Sequence, residues 1–363
     1  MNFIRFIFLL ILFSSTSLFA KRIEVVFCAD FSGSTNGMVT ELQKTIWSSM
    51  NQIQEKDSVQ IEFGLIGYGR KSFHQENNYV KVIHPLGSPV NEIGYSLVKL
   101  QVIINSCETY PQKALSACVK KIKWSEDNVT KRIIVFIGNG EVELKSIEKE
   151  FLKAKKKGIS IQPIFYQRSA SSARGRESWK KFAKLTGNDL IIAQPALQTV
   201  SFKKYYDEAF IVSAGAKLMS TYLPIGSKGK LKMNQLNKII DKLKISSLEN
   251  YEEMLIFQSS PFIQGKYDWD MVDLYSRGEF ELKDLNIDDF PVFLQSLSRE
   301  QLLGYVQLKL KERQIVVSKL RLELDKRNEY MYRKKEKSKY MVGRGGLSNI
   351  ICLLLLDHIA LIK

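Results

Sequence analysis

The chain has 363 residues, 45% apolar and 25% charged; this excludes bulk disorder and leaves room for one α/β domain of about 170–200 residues plus a second region. Lys and Arg number 54 against 38 Asp and Glu, a net charge of +16 that favours anionic partners such as an envelope surface. No nucleic-acid-binding motif accompanies that charge, and the three His and four Cys match no zinc spacing.

Residues 1–20 place Arg5 before an apolar run and end in small residues at Ala20. That is the pattern of a secretory signal peptide, with an apolar core too short for a membrane span. It implies an exported protein, periplasmic or extracellular, in which cysteines can pair. A bridge between Cys107 and Cys118 would brace the loop between them, whereas Cys28 reads as a small buried hydrophobe.

Residues 25–29 form an unbroken apolar run, the signature of a strand buried on both faces. It ends in Asp30-Phe31-Ser32-Gly33-Ser34. One carboxylate and two hydroxyls thus sit at a strand's carboxyl end, and Gly33 lets the backbone turn tightly there. Hard oxygens converging at that end suit Mg²⁺ or another divalent cation; the competing reading is a loop in which Ser32 or Ser34 caps the next helix. A helix is predicted over 38–53, with Met38, Leu42, Thr45, Ile46 and Met50 on its buried face. Strands follow at 59–68 and 79–83, joined by an exposed hairpin turn, then a helix at 90–102.

Pro111 suits the first turn of a helix over 111–122. Strand 132–137 leads into Gly138-Asn139-Gly140-Glu141, helix 144–157 stops at Gly158, and strand 159–166 follows. Residues 167–177 are rich in Ser, Ala, Arg and Gly and read as a mobile loop. Helix 178–185 and strand 189–193 complete the unit. Strand and helix alternate throughout, which predicts a doubly wound, mostly parallel sheet covered on both faces.

The Asp-x-Ser-x-Ser set, placed after the first strand, resembles the metal-ion-dependent adhesion site of the von Willebrand factor A (vWA) family, also seen in integrin inserted domains. Glu108-Thr109-Tyr110-Pro111 resembles the family's threonine loop, and Trp179 to Asn188 its late helix and Thr-Gly-Gly turn. The resemblance covers residues 23–193. It implies a vWA domain at 21–200 with Asp30, Ser32, Ser34, Thr109 and Asn139 around a metal, and a protein ligand that supplies a carboxylate. The chain departs from the pattern at Asn139, where the family usually has Asp. A +2 ion then faces one formal charge, and losing the second removes on the order of 8 kcal/mol of attraction at about 4 Å and an effective dielectric of about 20, before desolvation offsets. Glu108 and Glu141 are accessory candidates, and a weakly held ion is expected.

Beyond about residue 194 the pattern turns helical. Helices are predicted over 202–222 and 233–256, with Pro224 to Lys230 as a break and a second break at Ser246-Ser247. In Tyr267-Asp268-Trp269-Asp270-Met271-Val272-Asp273, the residues Trp269, Met271 and Val272 are expected to pack against the vWA domain while the carboxylates cap and face water, against a sugar or metal site as the alternative. Ser298-Arg299-Glu300-Gln301 is a capping box opening a long helix to about residue 339. Leu303, Val306, Leu310, Val317, Leu320, Leu324 and Met331 form a coiled-coil-like seam, interrupted by Arg313 and Arg327, that packs on this chain or pairs with a second copy. This helical region, 201–342, is similar to the tail of exported bacterial vWA proteins of unassigned function, in which the fourth-strand loop also tends toward Gly-Asn. The apolar tail 343–363 is too short for a span and reads as a docked helix or an altered reading frame.

Two functions fit these residues. One is an exported protein-binding module working at a degenerate metal site. The other is a metal-independent envelope scaffold acting through its helical region and basic surface. No Ser-His-Asp set, paired carboxylates or phosphate loop supports an enzyme.

Overall fold

Alternation along the first strand decides which side chains face which layer. In β1 (Lys21–Asp30), Val25, Phe27 and Ala29 enter one core, and Val26 and Cys28 enter the other. The computed structural model describes residues 21–35, 38–53, 59–88, 90–100, 107–167, 175–194, 205–260, 263–279, 286–339 and 347–360. The proposed signal peptide, the turn at 54–58 and most of the loop 167–177 lie outside them.

The other strands are β2 (Val59–Tyr68), β3 (Val80–His84), β4 (Lys131–Gly138), β5 (Ile159–Tyr166) and β6 (Ile191–Ala193). They form one sheet in the order β3-β2-β1-β4-β5-β6, parallel except for β3, which closes a hairpin with β2. The order reverses between β1 and β4, so the crevice at their carboxyl ends is where an open α/β sheet holds its ligand.

Helices α1 (Met38–Ile53) and α2 (Val90–Lys99) cover one face; α3 (Pro111–Lys120), α4 (Leu144–Lys156) and α5 (Arg176–Thr186) cover the other. The helix bounds follow the expectations to within a few residues. On the far side of α1 and α2 lies the second region: α6 (Glu208–Met219), α7 (Gly226–Ser246), α8 (Leu248–Gln258), α9 (Met271–Ser276), α10 (Arg299–Lys339) and α11 (Leu347–Ala360). Its apolar residues join those of α1 and α2 in one continuous core. Helix α1 is therefore covered along most of its surface, and some of its buried polar groups bond to the second region: the Asn250 amide donates to Gln43 Oε1 at 3.0 Å, and Asn51 donates to Glu253 Oε2 at 3.1 Å.

Several expectations in this region need correction. The break after Pro224 is shorter than predicted, because α7 already starts at Gly226. The buried seam of α10 runs through Leu302, Val306, Arg313, Val316, Leu320, Leu324 and Arg327, not Leu303 and Val317, and it packs on this chain's own α6, α8 and α9. The two arginines are members of the seam. Arg313 lies between Asp270 and Asp273, and Arg327 pairs with Glu252 and Glu253. Asp270 and Asp273 are thus buried and paired, not water-facing, although Asp270 does cap α9 through the Asp273 N–H at 3.2 Å. Trp269 is buried, but against the Tyr267 and Tyr222 rings of its own region, and Met271 and Val272 pack with Leu223, Leu302 and Val306, not against the first domain as expected. Helix α11 is the apolar tail, and it is a docked helix. Leu347, Ile351 and Leu355 are buried where it meets α1, and the Leu347 N–H donates to Glu41 Oε2 at 2.7 Å. No helix among the described residues is long and apolar enough to cross a membrane.

Candidate functional site

β1 delivers Asp30 to the β1–β4 crevice as its last residue, fully buried. The chain turns at once: the Ser32 N–H donates to Asp30 Oδ1 at 2.9 Å, and the Thr35 hydroxyl donates to the Asp30 carbonyl at 2.6 Å. Ser32 and Ser34 are thereby brought side by side, Oγ to Oγ at 3.0 Å. β4 delivers Asn139 from the opposite side. Ser34 Oγ donates to Asn139 Oδ1 at 2.8 Å, and Asn139 Nδ2 donates back to the Ser34 carbonyl at 3.2 Å.

Thr109 arrives on the loop before α3. Its position is fixed by two glycines. A Cβ on Gly69 would lie 3.0 Å from Thr109 Cγ2 and 2.7 Å from Asp30 Oδ1, and one on Gly140 would lie 2.6 Å from Thr109 Oγ1. Asp30, Ser32, Ser34, Thr109 and Asn139 therefore meet in one cluster, from three loops. Of the accessory candidates, Glu108 accepts a hydrogen bond from the Tyr110 hydroxyl, and Glu141 is exposed. Neither is held against Asp30 by a hydrogen bond among the described residues.

The cluster carries an electrostatic anomaly. Asp30 Oδ2 is buried and has no hydrogen-bond partner. Burial pushes the Asp30 carboxyl up to about 6, and the Ser32 N–H and hydroxyl and the Asn139 backbone N–H pull it back only in part. A carboxylate with one orphan oxygen, three hydroxyls and an amide oxygen is a hard-oxygen set. It fits a small divalent cation that keeps several waters, with a single formal charge to hold it. Among the described residues no group of three or more His, Cys, Asp or Glu is placed to hold a metal ion; at this site hydroxyls and an amide would supply the remaining donors.

Some supporting residues carry no motif. Gly69, at φ +79°, lets the backbone pass close over Asp30, where any Cβ would collide with its Oδ1. The Trp179 indole donates to the Gly140 carbonyl at 2.6 Å, and Ser178 Oγ accepts the Val142 N–H at 3.0 Å, so α5 pins the Asn139 loop. Only the glycine after a β2 strand and the Trp of the late helix signal these roles in the sequence. The Cys107–Cys118 bridge is not formed: both are free, and the buried Cys118 thiol lies beside that of Cys28.

Gly69→Ala is expected to lower the unfolding free energy by about 1–3 kcal/mol, from a left-handed backbone plus contact with Asp30. Urea denaturation measures it. A change under about 0.5 kcal/mol, the range of neutral surface substitutions, would mean that the space over Asp30 is not tightly set.

The strand order, the antiparallel β3 edge and the three converging loops define a vWA-type fold. No protein-family model and no curated protein matches the chain. Among solved structures, the pilus adhesin SpaC of Lactobacillus rhamnosus GG in its open conformation is similar over 48% of this chain and 28% of its own, at 14% identity and TM-score 0.36. The SpRpn10 VWA domain is similar over 49% of this chain and 90% of its own, at 14% identity and TM-score 0.34. An aerotolerance-related membrane protein of Bacteroides fragilis, carrying multiple mutations to serines, is similar over 47% and 90%, at 14% identity and TM-score 0.33. The chain spans only 28% of the length of the adhesin.

Proposed function

We propose that this chain is an exported protein-binding module, and that Asp30, Ser32, Ser34, Thr109 and Asn139 hold a Mg²⁺-like cation weakly until a partner's carboxylate completes its shell. One observation carries the reading: a buried Asp30 oxygen without a hydrogen bond, where the loops bearing Ser32, Ser34 and Thr109 meet at the sheet's switch point. An orphaned buried carboxylate oxygen costs free energy unless something positive meets it. Bound there, the cation would act as an adhesive charge; Ser32, Ser34 and Thr109 would orient it, and Asn139 would hold the Ser34 loop in place. The basic chain and the docked helical region are compatible with the second reading, a metal-independent scaffold. Asn139 favours that reading, because its amide already satisfies Ser34 without any ion.

Titration calorimetry with Mg²⁺ and Mn²⁺ separates the two. Wild type is expected to give saturable heats in the millimolar range and Asp30→Ala none; identical heats for both would overturn the metal reading. Capture of a partner from envelope extracts is expected to be lost on adding a chelator. Capture that persists with chelator assigns the activity to the helical region instead.

A further inference from the structure

The Asp30 cluster uses none of the chain's excess of cations, but one feature on the opposite edge of the sheet concentrates them. On α5, Arg176, Lys180, Lys181 and Lys184 are all exposed and fall along one groove of about 1120 Å³. None of the four has an ion pair or side-chain hydrogen bond among the described residues. Lys180 and Lys184 are like charges four residues apart, which destabilises a helix; Glu177 offsets part of this from the same helix, and with Asp189 it leaves four cations against two carboxylates along the groove. The facing wall is the end of the sheet, with Leu190 and Ile192 lining it. Among the described residues β6 pairs with β5 alone, and its outer backbone groups face away from the sheet.

We propose that this groove receives an extended acidic segment of another protein, added as a strand beside β6, with Asp or Glu at alternate positions turned toward α5. The period-two alternation of a strand would set every second side chain against the row of cations, and Leu190 and Ile192 offer apolar contact between them. Among the described residues that line it the groove has no aromatic side chain on which bases could stack, which disfavours single-stranded nucleic acid. Its concave form follows a chain better than a flat bilayer. Glu177 and Asp189 also line it and would repel a uniformly dense polyanion. β6 lies three strand spacings from β1, about 14 Å, so the groove and the Asp30 cluster are separate places on the sheet, although α5 touches both: its Trp179 and Ser178 hold the Asn139 loop.

The test uses the full chain and a fluorescein-labelled peptide of alternating Glu and Thr, read by anisotropy. Binding is expected to weaken with salt, and Lys180→Glu with Lys184→Glu is expected to weaken it about tenfold or more. Lys238→Glu with Lys242→Glu, the same charge change at exposed positions on α7, is expected to leave it within about twofold. Methylating the backbone nitrogens of alternate peptide residues should abolish binding, and amide exchange at residues 191–193 should slow when the unmodified peptide is bound. Four results would overturn the proposal: no binding by wild type, equal weakening by both lysine pairs, undiminished binding of the methylated peptide, or tighter binding to polyphosphate or to phosphatidylglycerol vesicles than to the peptide.

Discussion

Replacing Arg313 by alanine is expected to destabilise the chain by about 3–5 kcal/mol, the usual result of stranding buried charges. The guanidinium is 3% exposed; Nη1 lies 2.6 Å from Asp270 Oδ2 and 2.5 Å from Asp273 Oδ1. Nε donates to Thr221 Oγ1 at 2.9 Å, Nη2 donates to the Thr221 carbonyl at 2.7 Å, and the group lies over the Tyr222 ring at 4.5 Å. One side chain thus fastens α10 to α9 and to the end of α6. Its loss leaves two carboxylates with almost no water. Burial already holds the Asp270 carboxyl above its ordinary value while Arg313 pulls it down. Without Arg313 that folded value rises further, so the variant keeps stability at low pH and loses it as the pH climbs through the raised value. The damage should therefore be smaller near pH 5 than at pH 7.5. Urea denaturation at both pH values measures it, with Arg321→Ala, exposed on the same helix, as a control expected within about 0.5 kcal/mol. Equal losses for the two variants would show that the Arg313 cluster does not hold the region together. Combining Arg313→Met with Asp270→Asn and Asp273→Asn should recover part of the loss, because the cost lies in unpaired charge more than in missing attraction.

The same cluster shows where sequence reading stops. The parallel strands are legible because two-sided burial writes an unbroken apolar run; β2 and β5 have the bounds that the runs at 59–68 and 159–166 predict. The Asp30 loop is legible because three oxygen-bearing residues share it, and Thr109 and Asn139 are placed only by likeness to a family pattern. Hydrophobic periodicity, however, counts an arginine as an interruption. It therefore sets two positions of the α10 seam one residue away, at Leu303 and Val317, while Val306, Leu320 and Leu324 are common to both and the buried row with Leu302 and Val316 includes Arg313 and Arg327. A charge can sit in a seam only if its partners are buried with it. Those partners, Asp270, Asp273, Glu252 and Glu253, lie 40 or more residues away in sequence. The Gly69 and Gly140 approaches to Asp30 and Thr109 are of the same kind, being facts about which loops meet. For the tail, the composition of residues 347–360 suits a docked helix, but only the contact with Glu41 at the start of α1 says where it docks.

The ionisation of Asp30 is expected to make the wild-type chain lose stability, relative to Asp30→Asn, as the pH rises from about 4 to 7. The sign follows from the direction of the shift. A carboxyl raised from 3.8 to about 6 on folding holds its proton more tightly in the native state. Its contribution is fully present below the unfolded value and is lost as the pH passes the folded one. A rise of this size corresponds to about 3 kcal/mol, and the neutral amide in Asp30→Asn removes it. Taking the difference between the two proteins cancels every other titrating group that the substitution leaves alone. The proposed cation acts in the opposite sense, because it binds the ionised carboxylate: Mg²⁺ at ten times its dissociation constant should return about 1.4 kcal/mol to wild type at pH 7 and nothing to the variant. Asn139→Asp sharpens the comparison. A second carboxylate beside Asp30 should lower stability without the ion, since two like charges share a dry site, and should tighten Mg²⁺ binding about tenfold or more, since the ion then meets two charges. Chemical denaturation of the three proteins across pH, with and without Mg²⁺, reads all of this. A wild-type curve parallel to that of Asp30→Asn would mean that Asp30 is not the strained group its burial implies. An Asn139→Asp chain indifferent to Mg²⁺ would mean that the three loops meet for packing alone.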